Sequence, residues 1–178
     1  MKSFVLDTET TDLIRNSALP IDKQPRIIEL YGCVVEGGRV VDEIEFFAAL
    51  PRGMALSEDT TKITGITNKH LVGAKPFSAH ADFLAEMVEG CDEVVAHNLS
   101  FDMSVVNIEF KRLERSIRWP VIQTCTVEGT EHLEGYRLKL ADLHELLFGE
   151  RFEGAHRARA DVEALVRCFV ELRKRGEL

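Results

Sequence analysis

Ser3-Phe4-Val5-Leu6 is an apolar run that breaks off in Asp7-Thr8-Glu9, and this junction constrains the chain more than any other stretch. A run of this length reads as a buried strand. Side chains two apart on a strand point to the same face, so Asp7 and Glu9 stand side by side at its carboxyl end. Two like charges held that close repel unless a cation lies between them, and hard divalent cations favour such oxygen clusters. The pair reads as half of a magnesium or manganese site. An acidic turn after a strand is the competing reading, because short motifs recur by chance.

At 178 residues and 45% hydrophobic content, the chain suits one compact domain, residues 1–178, with a full core. The four cysteines, Cys33, Cys91, Cys125 and Cys168, lie far apart and form no CxxC pair. That pattern argues against a zinc site and a disulfide framework and predicts buried thiols in a reducing compartment. Leu6 gives way directly to Asp7, and no apolar run approaches membrane-spanning length. The expectation is a soluble, cytoplasmic protein with no membrane partner. A net charge of −8 argues against tight, non-specific duplex binding, which rests on lysine and arginine at phosphates. It leaves a phosphodiester substrate open, because acids around bound metal contribute formal charge that the metal cancels. The basic residues that exist are grouped, Lys111, Arg112, Arg115 and Arg118 in one set and Arg157, Arg159, Arg167, Arg173, Lys174 and Arg175 in another. Solvated helix surface is the expectation for most of them.

Ile14 to Pro25 carries Asn16, Pro20, Asp22 and Pro25 with little periodicity and reads as a loop. Arg26–Val35 and Arg39–Leu50 read as strands joined at Glu36-Gly37-Gly38, a hairpin signal. A short helix is expected between Ser57 and Thr67 with Gly65 as breaker. A second starts at Pro76 with Phe77, Ala81, Leu84 and Val88 on one face. Glu93-Val94-Val95-Ala96 is the next strand, followed by His97-Asn98-Leu99-Ser100 and a helix from about Phe101. Val121-Ile122-Gln123 is a fifth strand and Leu138–Leu147 a further helix, framed by loops at Glu134-Gly135 and Phe152-Glu153-Gly154.

Two further acids stand out against this frame. Asp102 shares a helical stripe with Val106, Phe110 and Leu113, and Asp161 shares another with Leu165, Cys168 and Leu172 on a last helix spanning about Ala158–Arg175. In both, an acid heads a face that otherwise points into the core, and buried acids are rarely left unpaired. A first-turn acid favoured by the helix dipole is the alternative for Asp102. His156 stands just ahead of the last helix, where a histidine is ordinarily a cap or a surface residue. His70, His80, His132 and His144 have no comparable acidic neighbourhood and keep that reading.

With these residues assembled, the chain resembles the DnaQ-like (DEDDh) 3′→5′ exonucleases, which carry four acids and a histidine. The matching pieces are Asp7-Thr8-Glu9-Thr10-Thr11, His97-Asn98-Leu99-Ser100-Phe101-Asp102 and His156-Arg157-Ala158-Arg159-Ala160-Asp161, in the family's order. Arg26-Ile27-Ile28-Glu29 and Ile63-Thr64-Gly65-Ile66-Thr67 extend the likeness, which runs from Phe4 to about Leu172. Arg157 occupies the position where a related subfamily has tyrosine, so the chain is of the histidine type. The resemblance implies an α/β, ribonuclease-H-like five-stranded mixed sheet in the order 3-2-1-4-5, the second strand antiparallel, with helices on both faces.

Phosphodiester hydrolysis must activate water and neutralise charge on both the attacking and the leaving oxygen, and two ions roughly 3.5–4 Å apart can serve both ends. By resemblance, Asp7 bridges two Mg²⁺ or Mn²⁺ ions, and Glu9, Asp102 and Asp161 complete the set. His156 is then the general base, a role that suits its near-neutral intrinsic pKa. Thr10 and Leu13 would contact the terminal nucleotide, with Asn98 close by and Phe101 stacking on the last bases. Taken singly, Leu13 and Phe101 could equally be core residues. Asp12 stands where the family commonly has glycine and Thr64 where it has histidine. Asp12 can adopt left-handed geometry and keep the turn, while adding negative charge where a phosphate arrives. The implied activity is release of nucleoside 5′-monophosphates from the 3′ end of single-stranded DNA. The implied partner class is a polymerase or another replication or repair protein. An RNA or oligonucleotide exonuclease, a non-catalytic nucleic-acid-binding or polymerase-associated module, and a metal-dependent phosphatase are the alternatives.

Overall fold

The computed structural model describes residues 1–14, 16 and 18–178. Part of the expected Ile14–Pro25 loop, Arg15 and Ser17, lies outside the described residues. A five-stranded sheet in the order β3-β2-β1-β4-β5 forms the centre, built from β1 (Lys2–Thr10), β2 (Ile27–Glu36), β3 (Arg39–Phe47), β4 (Glu93–Ala96) and β5 (Ile122–Cys125). β2 runs antiparallel to β1 and β3, whereas β1–β4 and β4–β5 pair in parallel. This is the mixed sheet that the family resemblance implies. The helices are α1 (Glu58–Thr64), α2 (Ala81–Glu89), α3 (Leu99–Arg112), α4 (Thr126–Gly129), α5 (Glu131–Glu134), α6 (Leu140–Phe148) and α7 (Ala158–Arg175). Among the described residues, no helix is long and apolar enough to cross a membrane.

The central strand is apolar on both sides because helices cover both faces of the sheet. Phe4 and Leu6 pack with Leu30, Val34 and Phe46 of the neighbouring strands against Leu84 and Val88 of α2 and Val105, Val106 and Phe110 of α3. Val5 packs with Tyr31, Cys33 and Val35 against Leu143 of α6 and Val162, Leu165, Cys168 and Leu172 of α7. Alternation thus sends neighbours in β1 to different helices. Gly32 lies opposite Leu6 on the α3 face, where a Cβ would come within 2.4 Å of the Phe4 ring.

Several boundaries differ from the expected ones. β1 continues through Asp7-Thr8-Glu9 to Thr10 because β2 pairs with it along this length, so the acids lie within a strand and not on a turn. β3 stops at Phe47, after which Ala48 makes a lone parallel bridge to Lys75. α1 is capped by Ser57, whose side chain accepts from the Thr60 N–H, and ends at left-handed Gly65. A 3-10 turn, Phe77–Ala79, precedes α2 where one continuous helix was expected. β5 begins one residue late and runs on to Cys125. α4 and α5, of four residues each, are too short to leave a periodic signal. Cys33 and Cys168 are buried as expected, but Cys91 and Cys125 are half-buried. His144, read as a cap or surface residue, is fully buried between Phe148 and Phe152. His132 does have an acidic neighbour, Glu177, 2.6 Å away.

Candidate active site

Every acid of the site owes its place to the end of β1. Asp7 and Glu9 continue the face that begins with Val5, the face that α7 covers, and α7 contributes Asp161 from its first turn. Asp7, Glu9 and Asp161 each offer a carboxylate oxygen, and these lie within 4.8 Å of one another. Thr8 points to the opposite face, where α3 lies. Its hydroxyl donates to Asp102 Oδ1 at 2.8 Å, which ties the first turn of α3 to the same strand end. Two helices on opposite sides of one strand thus bring four acids together.

The electrostatics of the set are those of a site that needs a cation. Burial raises the Asp7 carboxyl well above its ordinary range, and the neighbouring Asp102, Asp161 and Glu9 charges push it further. Burial, followed by Asp161 and Glu29, raises Glu9 to about 8. Asp102 is raised to about 7 by burial against the counter-effect of the Thr8 hydroxyl. Asp161 is raised to about 6, again by burial, with the His156 backbone N–H acting against it. Oxygen-only donors, crowded and partly desolvated, suit a hard divalent ion, and the donor set present fits Mg²⁺ or Mn²⁺.

His156 is exposed and lies in left-handed geometry, φ 68°, an unusual conformation for a residue with a side chain. Its backbone N–H donates to Asp161 Oδ2 at 2.8 Å, so the loop carrying the imidazole is tied to one of the acids. The four acids and His156 line one cleft of about 480 Å³ together with Asn98, Phe101, His97, Leu138 and others. Asn98 has φ 81° and is exposed, and Phe101 is half-buried with one side against the core. Thr10 and Leu13 lie outside this lining. Thr10 is half-buried and its hydroxyl donates to the Asp12 carbonyl, whereas Leu13 is 66% exposed and so is not a core residue. Among the described non-glycine residues only Asn98, Glu114 and His156 have positive φ. Asp12 therefore does not take the left-handed geometry expected of it, and its carboxylate instead accepts from the Leu13 N–H at 2.7 Å. Thr64 is buried in α1, donating to the Thr60 carbonyl and accepting from the Ile66 N–H.

Residues 4–169 match the RNase_T family, described as Exonuclease. The chain belongs to this family. DNA polymerase III PolC-type of Streptococcus mutans is 33% identical over 177 residues, which cover 97% of this chain and 11% of that protein. The Streptococcus pyogenes counterpart is 34% identical over 179 residues with the same coverage. The chain thus spans about a tenth of the length of these curated relatives. A solved 3′-exonuclease bound to a histone mRNA stem-loop has a TM-score of 0.77 at 18% identity, covering 98% of this chain and 64% of that one. The nuclease domain of 3′hExo, bound to rAMP, has a TM-score of 0.73 at 16% identity and covers 98% and 92%. Exonuclease I has a TM-score of 0.78 at 17% identity and covers 97% and 41%.

Sequence reasoning did not assign several residues that build this candidate site. Glu29, directly opposite Glu9 in the sheet, is 2% exposed and bonded to the Arg157 guanidinium at 2.8 Å. It also accepts from the Ala158 N–H at 3.1 Å, and so holds the first residue of α7 beside the acids. His97 Nε2 faces the Leu138 carbonyl at 3.1 Å and Nδ1 faces the Thr126 hydroxyl at 2.9 Å. A carbonyl only accepts, so Nε2 carries the proton and Nδ1 takes the hydroxyl's. Burial lowers this histidine to about 4, leaving it a neutral strut between β4 and the segment before α6. An acid set between apolar residues of a strand and a histidine just past the end of one are the sequence signals for these two, and neither names its partner.

Proposed function

We propose that this chain is a single exonuclease domain, residues 1–178, that removes nucleoside 5′-monophosphates from the 3′ ends of single-stranded DNA. The observation that carries the proposal is the convergence of Asp7, Glu9, Asp102 and Asp161 on one strand end, with the His156 loop tied to Asp161. Asp7, Glu9 and Asp161 would hold divalent ions, Mg²⁺ or Mn²⁺, with Asp102 completing the set. Bound there, two such ions would lower the pKa of water and neutralise charge on the phosphate. His156, exposed on its left-handed turn, takes the proton from the attacking water. Glu29 and Arg157 fix the start of α7, so that Asp161 and the His156 loop keep one geometry. Asn98 and Phe101, in the same cleft, hold the last nucleotides, the aromatic ring serving as a platform for a base. Thr10 and Leu13, just past the end of the cleft, would meet the terminal nucleotide from the β1 side.

DNA is favoured over RNA because the relatives at 33% and 34% identity are DNA polymerases. The neighbours whose structures contain RNA or rAMP share 18% and 16%. The same kinship makes a polymerase the expected partner and the cytoplasm the expected place of work. Incubation with 5′-labelled single-stranded DNA or RNA and Mg²⁺ or Mn²⁺ tests the proposal. The expected result is a ladder shrinking by one nucleotide from the 3′ end, faster on DNA and lost with chelator, Asp7→Ala or His156→Ala. Full activity of Asp7→Ala would overturn it, and faster cleavage of RNA would move the substrate assignment.

A further inference from the structure

The cleft that collects the acids also carries two cations. Among the described residues lining it, the lysine and arginine side chains are Lys139 and Arg137, on the two sides of buried Leu138. Both are exposed. Arg137 rests loosely on Glu128 and Glu131, at 3.5 and 3.7 Å with about three-fifths of its own side chain in solvent. Lys139 makes no ion pair or side-chain hydrogen bond among the described residues. Elsewhere in the molecule arginines beside buried acids are paired at closer range, Arg157 with Glu29 at 2.8 Å and Arg112 with Glu109 at 2.9 Å. A loosely held pair of cations at the mouth of an acid-lined cleft calls for another explanation.

Their position supplies it. The Leu138 carbonyl between them accepts from His97, which anchors the segment beside the start of α3, where Asn98 and Phe101 stand. The acids lie deeper: Asp102 is 2% exposed, and Asp7, Glu9 and Asp161 are half-buried. A phosphodiester engaged by the acids' ions is therefore at the cleft floor, and the rest of the strand must leave across the rim. We infer that Lys139 and Arg137 bind the phosphates of the strand 5′ to the scissile bond, making them determinants of specificity for a polymeric chain over an isolated phosphodiester. Binding exchanges the weak contacts of Arg137 with Glu128 and Glu131 for phosphate contacts. The inference rests on the exonuclease reading above.

The test compares a single-stranded oligodeoxynucleotide with the p-nitrophenyl ester of thymidine 5′-monophosphate, which has one phosphodiester and no upstream phosphate. The ratio of kcat/KM on the two substrates is measured for the wild type, R137A/K139A and the charge-retaining R137K/K139R. The double alanine variant is expected to lower the oligonucleotide-to-ester ratio about tenfold, mainly through KM. It should also flatten the dependence of log kcat/KM on log salt by about 1.4, since each of the two phosphate contacts on a single strand contributes roughly 0.7. The charge-retaining variant restores both, which a merely structural role would not produce. An unchanged ratio and salt slope in R137A/K139A, with an active wild type, overturns the inference and leaves the exonuclease reading standing. A wild type that cleaves neither substrate under Mg²⁺ or Mn²⁺ overturns that reading, and the inference with it.

Discussion

Two sets of acids in this protein, one buried and one largely half-buried, are treated in opposite ways. Glu93, fully buried, is met by Arg173 and by the hydroxyls of Ser3 and Thr124. Glu109 has Arg112 at 2.9 Å and the Ile27 N–H at 3.1 Å, and Glu29 has Arg157 and the Ala158 N–H. Each of these acids carries its counter-charge within the fold, and each ties two elements together. Among the described residues, Asp7, Glu9 and Asp161 pair with no arginine or lysine, and the side-chain partner of Asp102 is a threonine hydroxyl. Evidently the fold can neutralise a buried carboxylate where it needs one for structure. At the end of β1 the described residues supply no such counter-charge.

The sharpest way to break this contrast is to neutralise one acid of the open set. Asp7→Asn is expected to lower exonuclease activity by at least about 10³-fold, several kcal/mol of lost charge stabilisation. Without added metal it should leave thermal stability equal or higher, because it removes a repelling charge. Thermal unfolding at pH 8 in chelator checks this, and a loss of stability would end the distinction between the two sets.

A second test uses a base in place of an acid. Burial lowers His97 to about 4 against an unfolded value of about 6.5, so the unfolded chain binds the extra proton between those limits. The contribution of neutral His97 is complete above pH 6.5 and is lost as pH falls toward 4, up to about 3 kcal/mol. Urea unfolding of the wild type and His97→Gln across pH 4–7 isolates it. The difference between the two should shrink on acidification, and a difference that stays flat would show that His97 is not held neutral.

Glu93→Ala strands Arg173 and should lower stability by about 2–3 kcal/mol. The figure is below the roughly 3–5 of a fully buried pair, because Arg173 keeps about a third of its side chain in solvent. Chemical denaturation at neutral pH measures the loss, which must exceed that of any single change in the open set for the contrast to hold.

The smallest expected effect separates the sets by pH. With Glu9, Asp102 and Asp161 raised to about 8, 7 and 6, the metal-free protein is stabilised by their protonated forms at low pH. That contribution is lost as pH rises through 6 to 8. A divalent ion competes with those protons, so the stabilisation from saturating Mn²⁺, about 1–3 kcal/mol, should be larger at pH 8 than at pH 6. An increment that falls with pH would contradict this ordering.

The outline of both the fold and the site was legible in the sequence for a definite reason. Strand and helix periodicities place Asp7 and Glu9 on one face and put Asp102 and Asp161 at the heads of buried stripes, which needs only local geometry. The basic clusters show where that reasoning stops. They read as solvated surface, yet Arg112, Arg157 and Arg173 each neutralise a buried glutamate from 3 to 128 positions away in the chain. Asp12 was expected in a left-handed turn, and the fold closes that turn with side-chain and carbonyl hydrogen bonds instead.

The sequence by itself thus placed Asp7 and Glu9 on one strand face and Asp102 and Asp161 at the heads of buried helix stripes, because those placements follow from spacing within one element; the sheet order and the part given to His156 came with the family resemblance. The tertiary structure alone decided which acids receive a counter-charge, which face of β1 meets which helix, and how His97 pins Leu138 with its two flanking cations at the cleft. Those are contacts between distant segments, and their partners are set by how the layers pack and not by any local pattern.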